Sequence, residues 1–325
     1  MNILLLAPQF HNYHECICDE VKKNGDNIYW ENTNLAFNTF DRIIYKINRK
    51  KMVKKYNKYF ASIVEKYDLN MFDKVVVIFG GNLFNATNVM LLKNRFPDAQ
   101  LIYYAWDSVK NYPNILSYYH LFDYAYSFDN CDCKEYGFGF LPLFYRNKEE
   151  KADIIYDYCL IMTASIDKIK IFKKMNTFIK KYKGFVYLYF YDKKRYWYNK
   201  ILHPQVFRNL DKSLFRFSPL NKDEVNFKMA QSKVIIDIPL ENQKGLTIRT
   251  FEALKLNKKI ITTNAEIKKY NFYNHDDICV FSDGVNNDFF SNKNGNYCIN
   301  DYSASFFTKQ LIYDYEMIDY LKDKE

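Results

Sequence analysis

Four stretches of this chain, NILLLAP (2–8), KVVVIFGG (74–81), IIYDYCLIM (154–162) and KVIIDIP (233–239), hold apolar runs that do not alternate with polar residues. A strand apolar at successive positions must be covered on both faces, and a parallel sheet between layers of helices does this. The intervening sequence has helical period. Residues 12–24 read as a helix that Gly25 stops, 38–66 as a long basic amphipathic helix, and 86–95 as a shorter one. NIYWEN (27–32), QLIYYAWD (100–107), FDYAYSFD (122–129) and FGFLPLFY (138–145) supply further strands. Alternation at this spacing predicts right-handed βαβ units in a doubly wound sheet.

The pattern then restarts. The charged segment RNKEEKAD (146–153) reads as a linker, followed by a helix over 166–182, strands FVYLYFYD (185–192) and LFRFSPL (214–220), and a helix near 222–231. KVIIDIP, a helix starting near Thr247, KKIITTN (258–264) and ICVFSD (278–283) complete the second half. A length of 325 residues suits two domains of about 150 residues each. The expected division is 1–150, 151–302, and a terminal helix over 303–325 that folds back on the first domain. The expected class is α/β, two Rossmann-like doubly wound domains facing across a cleft.

Composition narrows the partners. Hydrophobic residues at 48% and charged residues at 26% exclude a disordered chain. A net charge of +9 suits an anionic partner. The aromatics, 30 Tyr and 28 Phe, are spread throughout and do not interleave with basic residues in one patch, so no nucleic-acid partner is expected. Segments 48–59, 168–183 and 191–200 combine Lys and Arg with aromatics, which fits a solvated helix face or contact with an anionic inner-membrane surface. No apolar run reaches the roughly 18 residues that span a bilayer, and the N-terminus lacks the basic region of a signal peptide. A cytoplasmic location with seven free thiols is the expectation, and neither C-x-C pair has a second pair at zinc spacing, so no metal site is expected.

The stretch QKGLTIRTFEALKLNKKIITTN (243–264) carries the main site candidates. Gly245 leads into a helix and lets another molecule approach the backbone closely. The first turn of that helix leaves amides unpaired at the positive end of the macrodipole, ready for a phosphate or carboxylate. Arg249 adds a forked cation, and Glu252, one turn on, can accept hydrogen bonds from a sugar. The same pair also reads as an i,i+3 surface ion pair. In the first half, Gln9, His11 and His14 follow the first strand, Gly80, Gly81 and Asn82 the third, and Trp106, Asp107 and Ser108 the fourth. Asp107 ends an apolar strand, where a lone carboxylate is costly. It reads as a cap or a partner of Lys110, or as a residue that binds an acceptor or takes its proton. His11 and His14 read as polar loop residues or as catalytic candidates.

The segment IDIPLENQKGLTIRTFEALKLNKKIITTN resembles the donor-binding segment of bacterial GT-B glycosyltransferases of the group-1-like and CgeB-like kind, found with capsule and lipopolysaccharide O-antigen genes. NILLLAPQFHNY, YYAWDS and FDYAYSFDNCDCKEYGFGFLPLFY resemble members of that group too, so the likeness runs over most of the chain. The resemblance implies a nucleotide-sugar donor on the C-terminal domain, held by Gln243, Lys244, Gly245, Leu246, Thr247, Arg249, Glu252, Thr163 and Ser165. It implies a glycan or lipid-linked glycan acceptor on the N-terminal domain. The residues themselves offer Asp107, His11 and Arg249 as the catalytic candidates, with the base open between Asp107, a histidine or none; no cofactor is expected, and no D-x-D motif stands in a strand-end loop to hold a metal. Two departures stand out. Lys244 occupies the place of a second acid common in retaining relatives, and Thr163, Ala164 and Ser165 replace a glycine-rich, histidine-containing turn. A catalytically inactive binding protein of a polysaccharide assembly system is the alternative reading of those departures.

Overall fold

The computed structural model describes residues 1–9, 12–78, 81–146, 151–240, 243–291, 295–315 and 320–321. In chain order the elements are β1 (Asn2–Ala7), α1 (Tyr13–Lys23), β2 (Asn27–Asn32), α2 (Thr39–Ile47), α3 (Arg49–Val64), β3 (Lys74–Ile78), α4 (Ala86–Arg95), β4 (Gln100–Ala105), β5 (Tyr124–Ser127), α5 (Asn130–Tyr136) and β6 (Gly139–Phe140). They continue with β7 (Tyr156–Thr163), α6 (Ile166–Ile179), β8 (Gly184–Tyr189), α7 (Lys193–Leu202), α8 (Pro204–Phe207), β9 (Phe215–Arg216), α9 (Lys222–Ala230), β10 (Ser232–Asp237), α10 (Ile248–Lys255), β11 (Lys259–Thr262), β12 (Ile278–Val280) and α11 (Ala304–Lys309). The chain divides into two compact units, Met1–Pro142 with Ala304–Ile318, and Leu143–Ser303 with Asp319–Glu325. Of the charged segment 146–153, residues 147–150 lie outside the described residues.

The first unit is a six-stranded sheet in the order β2-β1-β3-β4-β5-β6, parallel at every pairing. Its central strands are buried along nearly their whole length, as their unbroken apolar sequences require. Leu4, Leu6, Val75, Val77 and Tyr103 from the sheet meet Tyr56, Phe60 and Val89 from the helices in one core. Residues 304–315 pack here. Lys74 Nζ donates to the carbonyl of Ile312 at 2.5 Å, and the ring of Tyr315 stacks on Tyr124 at 4.2 Å. α11 is followed by a π-helical turn over Gln310–Asp314.

The second unit repeats the plan in the order β12-β11-β10-β7-β8-β9, again wholly parallel. Leu160, Met162, Phe172, Met175, Val234 and Ile236 form the centre of its core. The two sheets with helices between their strands are the expected α/β class, two Rossmann-like doubly wound units.

Three local expectations change. The single helix over 38–66 is two, because Asn48 leaves helical angles (φ −141°, ψ 79°) and its side chain accepts from Lys51 N at 3.1 Å, starting α3 anew. The strands expected over 138–145 and 214–220 shorten to β6 and β9, two residues each, because they are the edge strands of their sheets and pair on one side only. Gly245 is absent from the positive-φ residues, so the entry to α10 does not need glycine's left-handed freedom.

Phe172 has no exposed surface and lies under β7. Phe172→Ala should lower unfolding free energy by about 3–5 kcal/mol in denaturant titration; a loss below about 1 kcal/mol would contradict this core.

Candidate ligand site at a sheet switch point

In the second unit, β7 and β10 are neighbours, but the chain leaves them in opposite directions. From β7 it crosses through α6 to β8, and from β10 through α10 to β11. Right-handed crossovers then put α6 and α10 on opposite faces of the sheet. The carboxyl ends of β7 and β10 become the switch point, where open α/β sheets form a ligand crevice. Both helices aim their N-termini at it.

Each start is built from local sequence. Ser165 caps α6, its Oγ accepting from Lys168 N at 3.4 Å, while exposed Thr163 ends β7 and Ala164 N donates to Tyr189 O. Thr247 caps α10, and its hydroxyl donates to Oδ2 of Asp237 at 2.6 Å. The Thr250 hydroxyl reaches the same oxygen at 3.0 Å. Asp237 is the last residue of β10, so one carboxylate ties the strand end to the helix mouth. Asn264 Nδ2 donates to the carbonyls of Lys244 and Gly245, and Gln243 Nε2 to that of Gly245, which fixes the approach to the helix. Gly245 and Leu246 are buried, and exposed Lys244 and half-buried Thr247 flank them. The Thr250 amide is taken by Thr247, whereas those of Ile248 and Arg249 have no intrahelical acceptor by helix geometry.

Cations gather at the same place. Lys168 stands in the first turn of α6 and Arg249 in the first turn of α10. Burial pushes the Lys168 ammonium below its ordinary value; Asp237 acts against that shift and Arg249 with it. Arg249 Nη1 is buried and has no hydrogen-bond partner among the described residues. An unpaired buried guanidinium nitrogen is costly, so this arrangement suits an anion. Lys168 and Asp237 were not singled out from the sequence. An acid ending an apolar strand, the same signal that marked Asp107, would have found Asp237.

Glu252 faces a different neighbour. It is 8% exposed, and its Oε1 lies 3.9 Å from Nε of Arg146. Arg146, Asn226, Glu252, Lys255 and Leu256 line a small cavity, into which buried Arg146 Nε and Nη2 and Asn226 Oδ1 bring unused hydrogen-bonding capacity. Arg146 and Asn226 escaped the sequence reading because they lie 106 and 26 positions from Glu252 (252 − 146 and 252 − 226).

In the first unit the switch point lies between β1 and β3. Ala7, Ile78 and Trp106, at the ends of β1, β3 and β4, line a narrow cleft with Pro8, Tyr13, His14 and Ile17. His14 is buried and stacks on Trp30, their ring centres 3.9 Å apart. Gln9 N donates to Asn32 Oδ1, and Ser108 is buried beside Asp107. His11 and Gly80 lie outside the described residues. Asp107 is half-buried, accepts a hydrogen bond from Asn111, and forms no ion pair with Lys110 among the described residues. The loop that holds it is pinned by Val109 N donating to Asp132 Oδ2 at 2.8 Å.

Among the described residues, no group of three or more His, Cys, Asp or Glu is placed to hold a metal, and all seven cysteines are free thiols. No helix among them is long and apolar enough to cross a membrane.

No protein-family model matches the chain, and no curated protein matches its sequence. Solved structures similar to it include HepE from Anabaena with UDP and glucose, 10% identical over 81% of this chain and 80% of that one, with a TM-score of 0.49. HepE with UDP-glucose is 11% identical over the same shares, with a TM-score of 0.49. MurG from Acinetobacter baumannii is 10% identical over 81% and 86%, with a TM-score of 0.37.

Burial raises the Asp107 carboxyl from 3.8 to about 6, and does the same at Asp132. Both acids therefore keep a proton in the folded chain at a pH where the unfolded chain has lost it. Their contribution is fully present below pH 3.8 and is lost as pH rises to about 6. Asp107→Asn removes one of the two, so Tm followed across this window should fall less steeply with rising pH than in the wild-type chain. Equal slopes would place Asp107 in water.

Proposed function

We propose that this protein is a glycosyltransferase that moves a sugar from a nucleotide-sugar to a growing surface polysaccharide or lipid-linked glycan of the capsule or O-antigen kind. The observation that carries the reading is the β7/β10 switch point, where two capped helix starts, Lys168 and the unpartnered Nη1 of Arg249 converge. That is the chemistry a nucleoside diphosphate requires.

In this reading the backbone of Gln243, Lys244, Gly245, Leu246 and Thr247, with Arg249 and Lys168, receives the diphosphate. Thr163 and Ser165 border the donor, and Glu252, oriented by Arg146, accepts from the ribose hydroxyls. As the bond from the anomeric carbon to the diphosphate oxygen breaks, negative charge grows on the leaving group. Donors already aimed at it stabilise the transition state more than the ground state. The acceptor hydroxyl forms the new bond to that carbon and gives up its proton. Asp107, raised to about 6, suits the role of base near neutral pH, and His11 is the other candidate. The reaction needs no cofactor, and the leaving group is neutralised by protein cations in place of a metal. A lipid-linked acceptor would put the enzyme in the cytoplasm at the anionic inner face of the plasma membrane.

A thermal-shift panel of UDP, GDP, CMP and dTDP tests the donor site. One nucleotide should raise Tm by several degrees through mass action, and Arg249→Ala should abolish that shift. A panel with no response would contradict the reading. Transfer or donor hydrolysis should survive EDTA, should fall on the order of 10²-fold in Arg249→Ala, and should rise with pH through about 6 in the wild-type chain but not in Asp107→Asn.

A further inference from the structure

Three segments rich in basic and aromatic residues, 48–59, 168–183 and 191–200, share a composition but not a fate. In α3 the apolar residues Met52, Tyr56 and Phe60 are buried, so its lysines form a solvated face. α6 does the same with Ile169, Phe172, Met175 and Ile179. The helix α7 inverts the arrangement. Tyr196 alone is buried, while Trp197 is 53% exposed, Tyr198 64%, Ile201 75% and Leu202 52%.

Asp192 caps the start of α7, and between it and Asp211 the charge is all of one sign. From Lys193 to Arg208 the chain holds Lys193, Lys194, Arg195, Lys200 and Arg208 and no acid. None of these cations is in an ion pair among the described residues. Lys200 holds its ammonium 5.0 Å from the Trp197 ring centre, beside the apolar patch. Exposed apolar groups rimmed by unpaired cations seek a surface that is apolar beneath and anionic on top. A tryptophan with aliphatic neighbours suits the depth where headgroups give way to acyl chains.

We propose that α7 docks the second unit onto an anionic lipid surface, with Trp197, Ile201 and Leu202 entering the headgroup boundary and the surrounding lysines and arginines meeting lipid phosphates. The choice of a bilayer builds on the membrane-side acceptor proposed above, but the docking itself does not involve the nucleotide site. Each cation withdrawn should weaken partitioning on the order of fivefold.

Co-sedimentation of the full chain with phosphatidylcholine vesicles, with and without phosphatidylglycerol, tests this without any nucleotide. Wild-type protein should bind the anionic vesicles on the order of a hundredfold better and release as salt rises. Trp197→Ser/Ile201→Ser and, separately, Lys193→Glu/Lys194→Glu/Arg195→Glu should lose that binding while keeping the wild-type Tm and nucleotide response. Wild-type protein with no preference for anionic vesicles would overturn the proposal. So would undiminished binding by the charge-reversed variant, or loss of binding only when the exposed Phe40, Ile43 and Ile47 of α2 are changed to serine. If vesicles bind and no nucleotide shifts Tm, the donor reading alone fails.

Discussion

The ligand face of the second unit is organised by the carboxylate of Asp237. It is 6% exposed at the last residue of β10, and one of its oxygens receives the hydroxyls of both Thr247 and Thr250. A buried carboxylate is tolerated only when donors surround it. Here the donors belong to the cap and first turn of α10, so the same contacts that satisfy the acid anchor the helix with its positive end at the strand terminus. The acid also opposes the desolvation of Lys168. One carboxylate set against Lys168 and Arg249 leaves a local excess of positive charge, and a buried Arg249 nitrogen is left without an acceptor. That nitrogen is the place where an anionic ligand would find its partner in the proposed reading.

Topology explains why those groups meet. Thr163 and Asp237 are far apart in sequence but end adjacent strands, and the opposite crossovers from β7 and β10 bring two helix starts to one point. The first unit repeats this geometry between β1 and β3 with different chemistry. Its cleft is lined by aromatic and aliphatic side chains with His14, and Asp107, the residue after the lining Trp106, is kept protonated to an unusually high pH by burial. A cationic crevice and an apolar cleft with a tuned acid suit different kinds of ligand.

Much of this was legible in the sequence, for identifiable reasons. Strands buried on both faces announce themselves as unbroken apolar runs, which is why β1, β3, β4, β7 and β10 read clearly. The start of α10 at Thr247 and its stop before β11 follow from a hydroxyl cap and from Asn257, whose positive φ of 52° ends the helix. The break at Asn48 was hidden because the apolar period continues across it and only the side-chain cap marks it. Partnerships between distant residues were hidden as well. Nothing near Glu252 in sequence points to Arg146, and the depth of Lys168 is set by packing that its basic neighbours on α6 disguise.

The central claim is that the N-terminus of α10 with Arg249 receives the diphosphate of a nucleotide-sugar. The most direct measurement is the crystal structure of the protein soaked with the nucleotide it binds best. The account predicts phosphate oxygens within hydrogen-bond distance of the first-turn amides of α10 and of Arg249 Nη1, with the ribose directed to Glu252. A diphosphate bound elsewhere, with Arg249 Nη1 still unpaired, would contradict it.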